Sequence, residues 1–122
     1  MSEQADGLKE RTFRFALDVI DLTRTFTSEE PGPTVRRQLA KAATSVGANY
    51  RAACRARSHA DFTSRISVVA EEADEAVYWL DVTAGATLTK AGALQKLQQE
   101  ARELTAIFSR AVGTARQNAR RQ

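Results

Sequence analysis

The stretch SVGANYRAACRARSHADF, residues 45–62, decides the fold. It joins the end of one long basic helix to the start of another helix whose middle is acidic. Ser58-His-Ala-Asp61 is a capping signal, with a serine at the N-cap and an acid three residues further on. The sequence therefore predicts a helix that ends at about Arg57 and a second helix that begins at His59.

Apolar and small residues on either side of this stretch recur at helical spacing. Steps of four and three residues alternate through Val35, Leu39, Ala42, Val46, Asn49 and Ala53. Nearer the C-terminus, steps of three and four alternate through Leu94, Leu97, Ala101, Leu104, Phe108, Ala111 and Ala115. Such spacing is typical of helices that pack at a shallow angle in a bundle.

These patterns predict four helices, at about residues 8–26, 33–57, 59–84 and 90–115, followed by a frayed tail at 116–122. The chain has 122 residues, which is the length of one domain with a single core. No strand-like alternation of any length is present. We therefore predict one all-α domain spanning the chain, an antiparallel up-down-up-down four-helix bundle.

The first predicted helix carries apolar residues on two sides. One stripe contains Phe13, Leu17 and Ile20, and the second contains Phe15, Val19, Leu22 and Phe26. A surface helix normally has a single apolar stripe that faces the core. This helix is therefore either well buried or shared with a neighbouring subunit.

Charge is distributed unevenly along the chain, although the net charge is only +3. Residues 33–60 contain six basic side chains and no acid, whereas residues 68–81 contain five acids and no base. The last seven residues, RQNARRQ, add three arginines. Such asymmetry favours either helices that pair by charge or an anionic partner.

Several features of the sequence bear on the compartment. The single cysteine, Cys54, cannot form an internal disulfide and is expected to be a reduced thiol. No apolar run approaches the ~18 residues that span a bilayer. The N-terminal residues MSEQADGLKER lack the apolar region of a secretory signal. We therefore expect a cytoplasmic location and no membrane partner.

The basic residues form a candidate nucleic-acid-binding surface. Its predicted members are Arg36, Arg37, Lys41, Arg51, Arg55, Arg57 and Arg65, together with the C-terminal arginines. Phosphates of RNA or DNA could follow these side chains along the second helix. No aromatic residues interleave with them to stack on bases, so any binding would depend on the backbone and the shape of the nucleic acid. The alternative is a solvated or intersubunit charged face.

The acidic run Glu71-Glu72-Ala-Asp-Glu75 offers a different chemistry. All-α nucleoside triphosphate pyrophosphohydrolases carry a Glu-Glu-x-x-Glu run that binds magnesium, and they need a Glu-x-x-Asp pair on the next helix. The nearest match here is Glu100-Ala-Arg-Glu103, which departs from that pattern. The alternative is that these acids pair with arginines of the second helix.

No other catalytic or metal-binding constellation stands out in the sequence. A di-metal carboxylate site needs Glu-x-x-His pairs, and the one histidine, His59, has no glutamate three residues before it. Cys54 and Ser45 have no histidine at a spacing that suggests a nucleophilic pair. We therefore predict no catalytic residue, no metal site and no cofactor.

Residues 38–80 resemble the bacterial four-helix-bundle family of 23S rRNA intervening-sequence proteins. The motifs that carry the resemblance are Gln38-Leu39, Ala42-Ala43, Ser45-Val46-Gly47-Ala48-Asn49, Arg51, Ser58, Asp61-Phe62 and the segment from Glu75 to Leu80. Many members have Asn-Ile-x-Glu-Gly where this chain has Asn49-Tyr50-Arg51-Ala52-Ala53. The chain is closer to a branch with Asn-Tyr-Arg-Ala and a Glu-Glu-Ala-Asp-Glu segment.

The resemblance implies an antiparallel four-helix bundle that assembles as a homopentamer. Related accessory proteins of diversity-generating retroelements share this fold and bind nucleic acid through a basic surface. We therefore expect a non-enzymatic oligomer that binds RNA or DNA. Two alternatives stay open: a purely structural or protein-interaction module, and a magnesium-dependent nucleotide pyrophosphohydrolase that uses Glu71, Glu72 and Glu75.

Asn49 interrupts the apolar seam of the second helix, and a buried amide requires hydrogen-bond partners. We predict that Asn49, Arg51, Glu71 and Glu75 form one polar cluster between the second and third helices. Four such groups can satisfy one another where any one alone would be costly to bury.

Overall fold

A computed structural model describes residues 2–121 of the chain, and at Arg121 its backbone alone. It contains four helices: α1 (Glu3–Thr23), α2 (Gly32–Cys54), α3 (His59–Gly85) and α4 (Ala93–Arg121). No strand occurs between residues 2 and 121. The prediction of an all-α four-helix bundle is confirmed.

Side-chain caps set the starts of two helices. The Ser58 hydroxyl accepts a hydrogen bond from the Asp61 backbone N–H at 3.1 Å, as the capping signal predicted. The Ser2 hydroxyl likewise accepts from the Ala5 backbone N–H at 3.1 Å. Glu3 lies in the first turn of α1, where a negative charge is favourable. α1 therefore begins five residues before the predicted start.

Other helix ends also differ from the predicted bounds. α1 ends at Thr23, whose hydroxyl donates to the Ile20 carbonyl at 2.7 Å, and α2 ends at Cys54 before a short turn. The tail predicted to be frayed is helical from Arg116 through Arg121. These last turns lack an apolar stripe, but alanine, arginine and glutamine are good helix formers. Gln122 lies outside the described residues.

The helices pack in chain order around one core. α2 packs against α1 and α3, α3 packs against α4, and α1 closes the bundle against α4 through the smallest of these interfaces. The largest fully buried apolar side chains are Phe15, Val19, Leu39, Val46, Ile66, Val69, Leu80, Leu104 and Phe108. The rings of Tyr50 and Phe108 meet across the core with centroids 5.2 Å apart. Over residues 2–121, no helix has the length and apolar character needed to cross a bilayer.

α1 and α2 approach closely because a glycine faces the crossing. A Cβ atom on Gly47 would lie 3.2 Å from the Thr12 hydroxyl oxygen, which is tighter than ordinary contact. Thr12 is fully buried, and its hydroxyl donates to the Leu8 carbonyl at 2.8 Å. This crossing fixes the rotation of α1 about its axis. It buries Phe15 and leaves Phe13 on the outside.

Candidate nucleic-acid interface

The predicted nucleic-acid-binding residues all lie on the surface. We call this set the basic α2 surface: Arg36, Arg37, Lys41, Arg51, Arg55, Arg57 and Arg65. Each of these seven side chains is exposed. The first four lie on α2, the next two lie in the α2–α3 turn, and Arg65 lies on α3.

A stripe of this surface runs along the solvent side of α2. Arg37, Lys41 and Arg51 lie on the side of the helix opposite the buried residues, of which Leu39 and Val46 are fully covered. Arg55 continues the stripe just past the end of the helix. From Arg37 to Arg51 the stripe covers 14 residue steps of the helix, or about 21 Å at about 1.5 Å per residue. A length of this order faces several successive phosphates of a nucleic acid.

Most of the charge on this surface is not neutralised by the chain itself. Arg65 pairs with Asp61 at 3.0 Å, and its guanidinium holds the pKa of that carboxyl below its usual range. Arg37 donates only a long bond, 3.4 Å, to the Thr34 hydroxyl. Among the side chains of residues 2–120, the other five make no ion pair and no side-chain hydrogen bond. These cations are therefore available to an anion from outside.

The acidic run on α3 lies near Lys41 of α2, but among the described residues it forms no ion pair with an α2 side chain. Glu71 and Glu75 are exposed, and Glu72 is half-buried. Burial raises the pKa of Glu72, as do the charges of Glu75 and Glu71, whereas Lys41 lowers it. No acid of this run forms an ion pair with an α2 arginine in the part of the chain that is described. The Glu75 carboxylate instead accepts a 3.4 Å bond from the Trp79 indole N–H.

The four residues of the predicted polar cluster do not bond to one another within one chain. The half-buried Asn49 amide donates to the Ser45 carbonyl of its own helix at 2.8 Å. Because that bond satisfies the amide locally, Asn49 does not need a partner on α3. Arg51, Glu71 and Glu75 point to solvent, and no hydrogen bond joins any two of the four within residues 2–120.

The two acidic runs that could build a magnesium site are not brought together as a ligand group. Glu100 and Glu103 bind Arg11 of α1, at 2.6 Å and 3.1 Å. The hydrogen bond that Arg11 donates to Glu100 is the main cause of the raised pKa of the Arg11 guanidinium. Across the described residues, no three His, Cys, Asp or Glu side chains are arranged to hold a metal ion.

Sequence reasoning missed a groove between α1 and α2. Its volume is about 570 Å³, and its lining is mostly apolar. Phe13 and Leu17 form one wall and are 54% and 37% exposed, while Ala48 and Arg51 lie on the opposite wall. The signal in the sequence was the stripe of Phe13, Leu17 and Ile20 on the first helix. The spacing could not show which of the two stripes faces outward.

The fold and this surface define a class of protein, a small helical bundle with unneutralised basic charge along one helix. The chain belongs to the 23S rRNA-intervening sequence protein family, whose family model matches residues 8–110. No curated protein matches it. The description of this family indicates no enzymatic activity.

A similar solved structure is that of a protein of unknown function from the S23 ribosomal protein family of Bacteroides thetaiotaomicron. It superposes with a TM-score of 0.79 and 23% sequence identity, covering 89% of this chain and 97% of that one. At this identity the likeness shows the fold alone.

Proposed function

We propose that this protein is a non-enzymatic, self-associating helical bundle that binds RNA or DNA through the basic α2 surface. The observation that carries the proposal is the set of exposed basic side chains without ion-pair partners along α2. Because nucleic acid carries a regular array of negatively charged phosphates, such a stripe attracts it.

The chemistry supports binding that tolerates many sequences. Arginine and lysine contact phosphate oxygens, and such contacts fix position without reading bases. The Arg37, Lys41, Arg51 and Arg55 stripe has no exposed aromatic side chain within it. Stacking on unpaired bases therefore contributes little at this surface, and the affinity for nucleic acid should fall as ionic strength rises.

The apolar groove supports self-association. Phe13 and Leu17 expose apolar area beside the crossing of α1 and α2, and a second copy of the chain that covers them would remove that area from water. The proposal includes a ring of five subunits, which the resemblance to this family implies. It also places the protein in the cytoplasm, where RNA and a reduced Cys54 thiol occur together.

A second candidate is an assembly module with no nucleic-acid role. The observation in its favour is that Arg51 belongs to both the basic α2 surface and the lining of the groove. In that case the basic side chains would face acids of a neighbouring subunit, among which the exposed Glu71 and Glu75 are available.

Fluorescence anisotropy of a labelled structured RNA, at low and moderate salt, tests the proposal. We expect binding that weakens steeply with salt. Arg51→Gln with Arg55→Gln should lower the slope of log K against log salt by about 1.4 to 1.8 units, because each lost phosphate contact removes roughly 0.7–0.9. The matched control is Arg14→Gln with Arg24→Gln, which removes two arginines that pair with acids of α1.

The two candidates give different results in this experiment. Loss of RNA affinity with an unchanged sedimentation profile supports nucleic-acid binding. A wild-type protein that binds neither RNA nor DNA at low salt, while the Arg51 and Arg55 variant dissociates into monomers, refutes nucleic-acid binding and supports the assembly module.

A further inference from the structure

Basic charge is concentrated at one end of the bundle. This end, which we call the basic end, comprises residues 2–9, 50–66 and 108–121, and it holds nine of the 18 Lys and Arg but only three of the 15 Asp and Glu. A hydrogen bond of 2.8 Å between His59 Nε2 and the Ala115 carbonyl ties the start of α3 to the end of α4. The C-terminal arginines therefore lie beside the α2–α3 turn rather than far from it.

The last turns of α4 supply a fixed surface at this end. Arg110, Arg116 and Arg120 project from a helix that continues through Arg121. All three side chains are exposed, and none makes an ion pair or a hydrogen bond with another described side chain. A helical scaffold holds these charges at fixed spacing, so less conformational entropy is lost on binding than from a frayed tail.

A groove runs between these arginines and the first turns of α3. Its volume is about 520 Å³, and Arg116 and Arg120 line one side. Ser64 lies on the opposite side, is exposed and has no hydrogen-bond partner among the described residues. Two guanidinium groups and a hydroxyl are donors that suit phosphate oxygens. The nearest acid of this stretch, Asp61, is already paired with Arg65.

We propose that the basic end, and above all the groove between α3 and α4, is the principal phosphate contact of this protein. This inference rests on the proposed function and names the part of the molecule that carries it. The backbone of RNA or DNA would pass from Arg55 and Arg57 at the turn to Arg116 and Arg120 in the groove. The N-terminal half of α2 then contributes less, because acidic side chains outnumber basic ones at its end of the bundle.

The test compares two triple variants that each remove three positive charges. The first is Arg110→Gln with Arg116→Gln and Arg120→Gln, at the basic end. The matched control is Arg36→Gln with Arg37→Gln and Lys41→Gln, at the other end of α2. All six side chains are exposed, so both variants should keep the wild-type circular dichroism spectrum and melting curve. Anisotropy with the same labelled structured RNA is measured across a salt series.

We expect the α4 variant to lower the slope of log K against log salt by about two to three units, and the α2 control by about one unit or less. Equal losses in the two variants, or a larger loss in the α2 control, would overturn the assignment while leaving nucleic-acid binding intact. A wild-type protein that binds no nucleic acid at low salt would refute the proposed function and this inference together. An α4 variant that dissociates the oligomer without any change in RNA affinity would assign these arginines to subunit contacts and overturn the inference.

Discussion

Phe13→Ser should weaken self-association of the protein by about two orders of magnitude. Phe13 lies on the outer side of α1, beside the groove, and it is 54% exposed. A phenylalanine side chain has an accessible surface of roughly 200 Å², so a second subunit that covers the exposed part of Phe13 removes about 110 Å² from water. At roughly 25 cal/mol per Å² this area is worth about 2.7 kcal/mol for each interface. Such a loss corresponds to about a hundredfold change in the dissociation constant.

The measurement is sedimentation velocity over a wide range of protein concentration. Phe13→Leu is the matched control, because leucine keeps most of the apolar area and should leave the association constant within about tenfold of wild type. The isolated fold should tolerate both substitutions, since Phe13 contributes little to the core. Thermal unfolding of Phe13→Ser at a concentration where the wild-type protein is dissociated should therefore match that of the wild type.

Two results would refute this reasoning. If Phe13→Ser assembles with the same concentration dependence as the wild type, the groove between α1 and α2 is not the subunit contact. If Phe13→Ser instead unfolds at a much lower temperature as a monomer, Phe13 supports the fold itself.

Two further predictions concern stability and its dependence on pH. Gly113→Ala should stabilise α4 by about 0.5–1 kcal/mol, because its Cβ would meet no atom within 4 Å. Gly47→Ala gains the same helix propensity but crowds Thr12, so its effect on the free energy of unfolding should be less favourable than that of Gly113→Ala by about 1–3 kcal/mol. Equal free energies of unfolding for the two variants in urea melts would contradict the close crossing of α1 and α2. Asp61→Asn should lower the melting temperature at pH 7, because a carboxyl with a lowered folded pKa stabilises the fold above its unfolded pKa of about 3.9. The difference in melting temperature between Asp61→Asn and the wild type should disappear as the pH falls from about 4 to 2. A difference that persists at about pH 2 would show that the charge of the Asp61 carboxylate is not its cause.

The helices and their packing faces were determined by local sequence. The alternating steps through Leu97, Leu104 and Phe108 predict a buried stripe, and these residues are buried in α4. Ser58 predicts a cap because its hydroxyl reaches the backbone N–H of Asp61 within a single turn. Both signals act over a few residues, and a sequence therefore contains them in full.

Helix ends without an apolar stripe were harder to predict. The first turn of α1 and the last turns of α4 carry mainly polar residues, so periodicity gives no signal there. Ser2 is a capping residue in the sequence, but a serine alone does not fix a helix start. These ends decide whether Arg116 and Arg120 form a fixed surface or a mobile one.

The tertiary structure alone decided which side of α1 faces outward and which charges meet. The sequence gives α1 two apolar stripes, and the approach of Thr12 to Gly47 rotates the helix so that Phe15 is buried and Phe13 is exposed. Similarly, composition allows the acids of α3 to pair with the arginines of α2, but Asn49 bonds within its own helix and Arg51 points to solvent. Where a helix has two apolar stripes, its rotation about its axis depends on contacts with segments that are distant in sequence, and no local pattern encodes it.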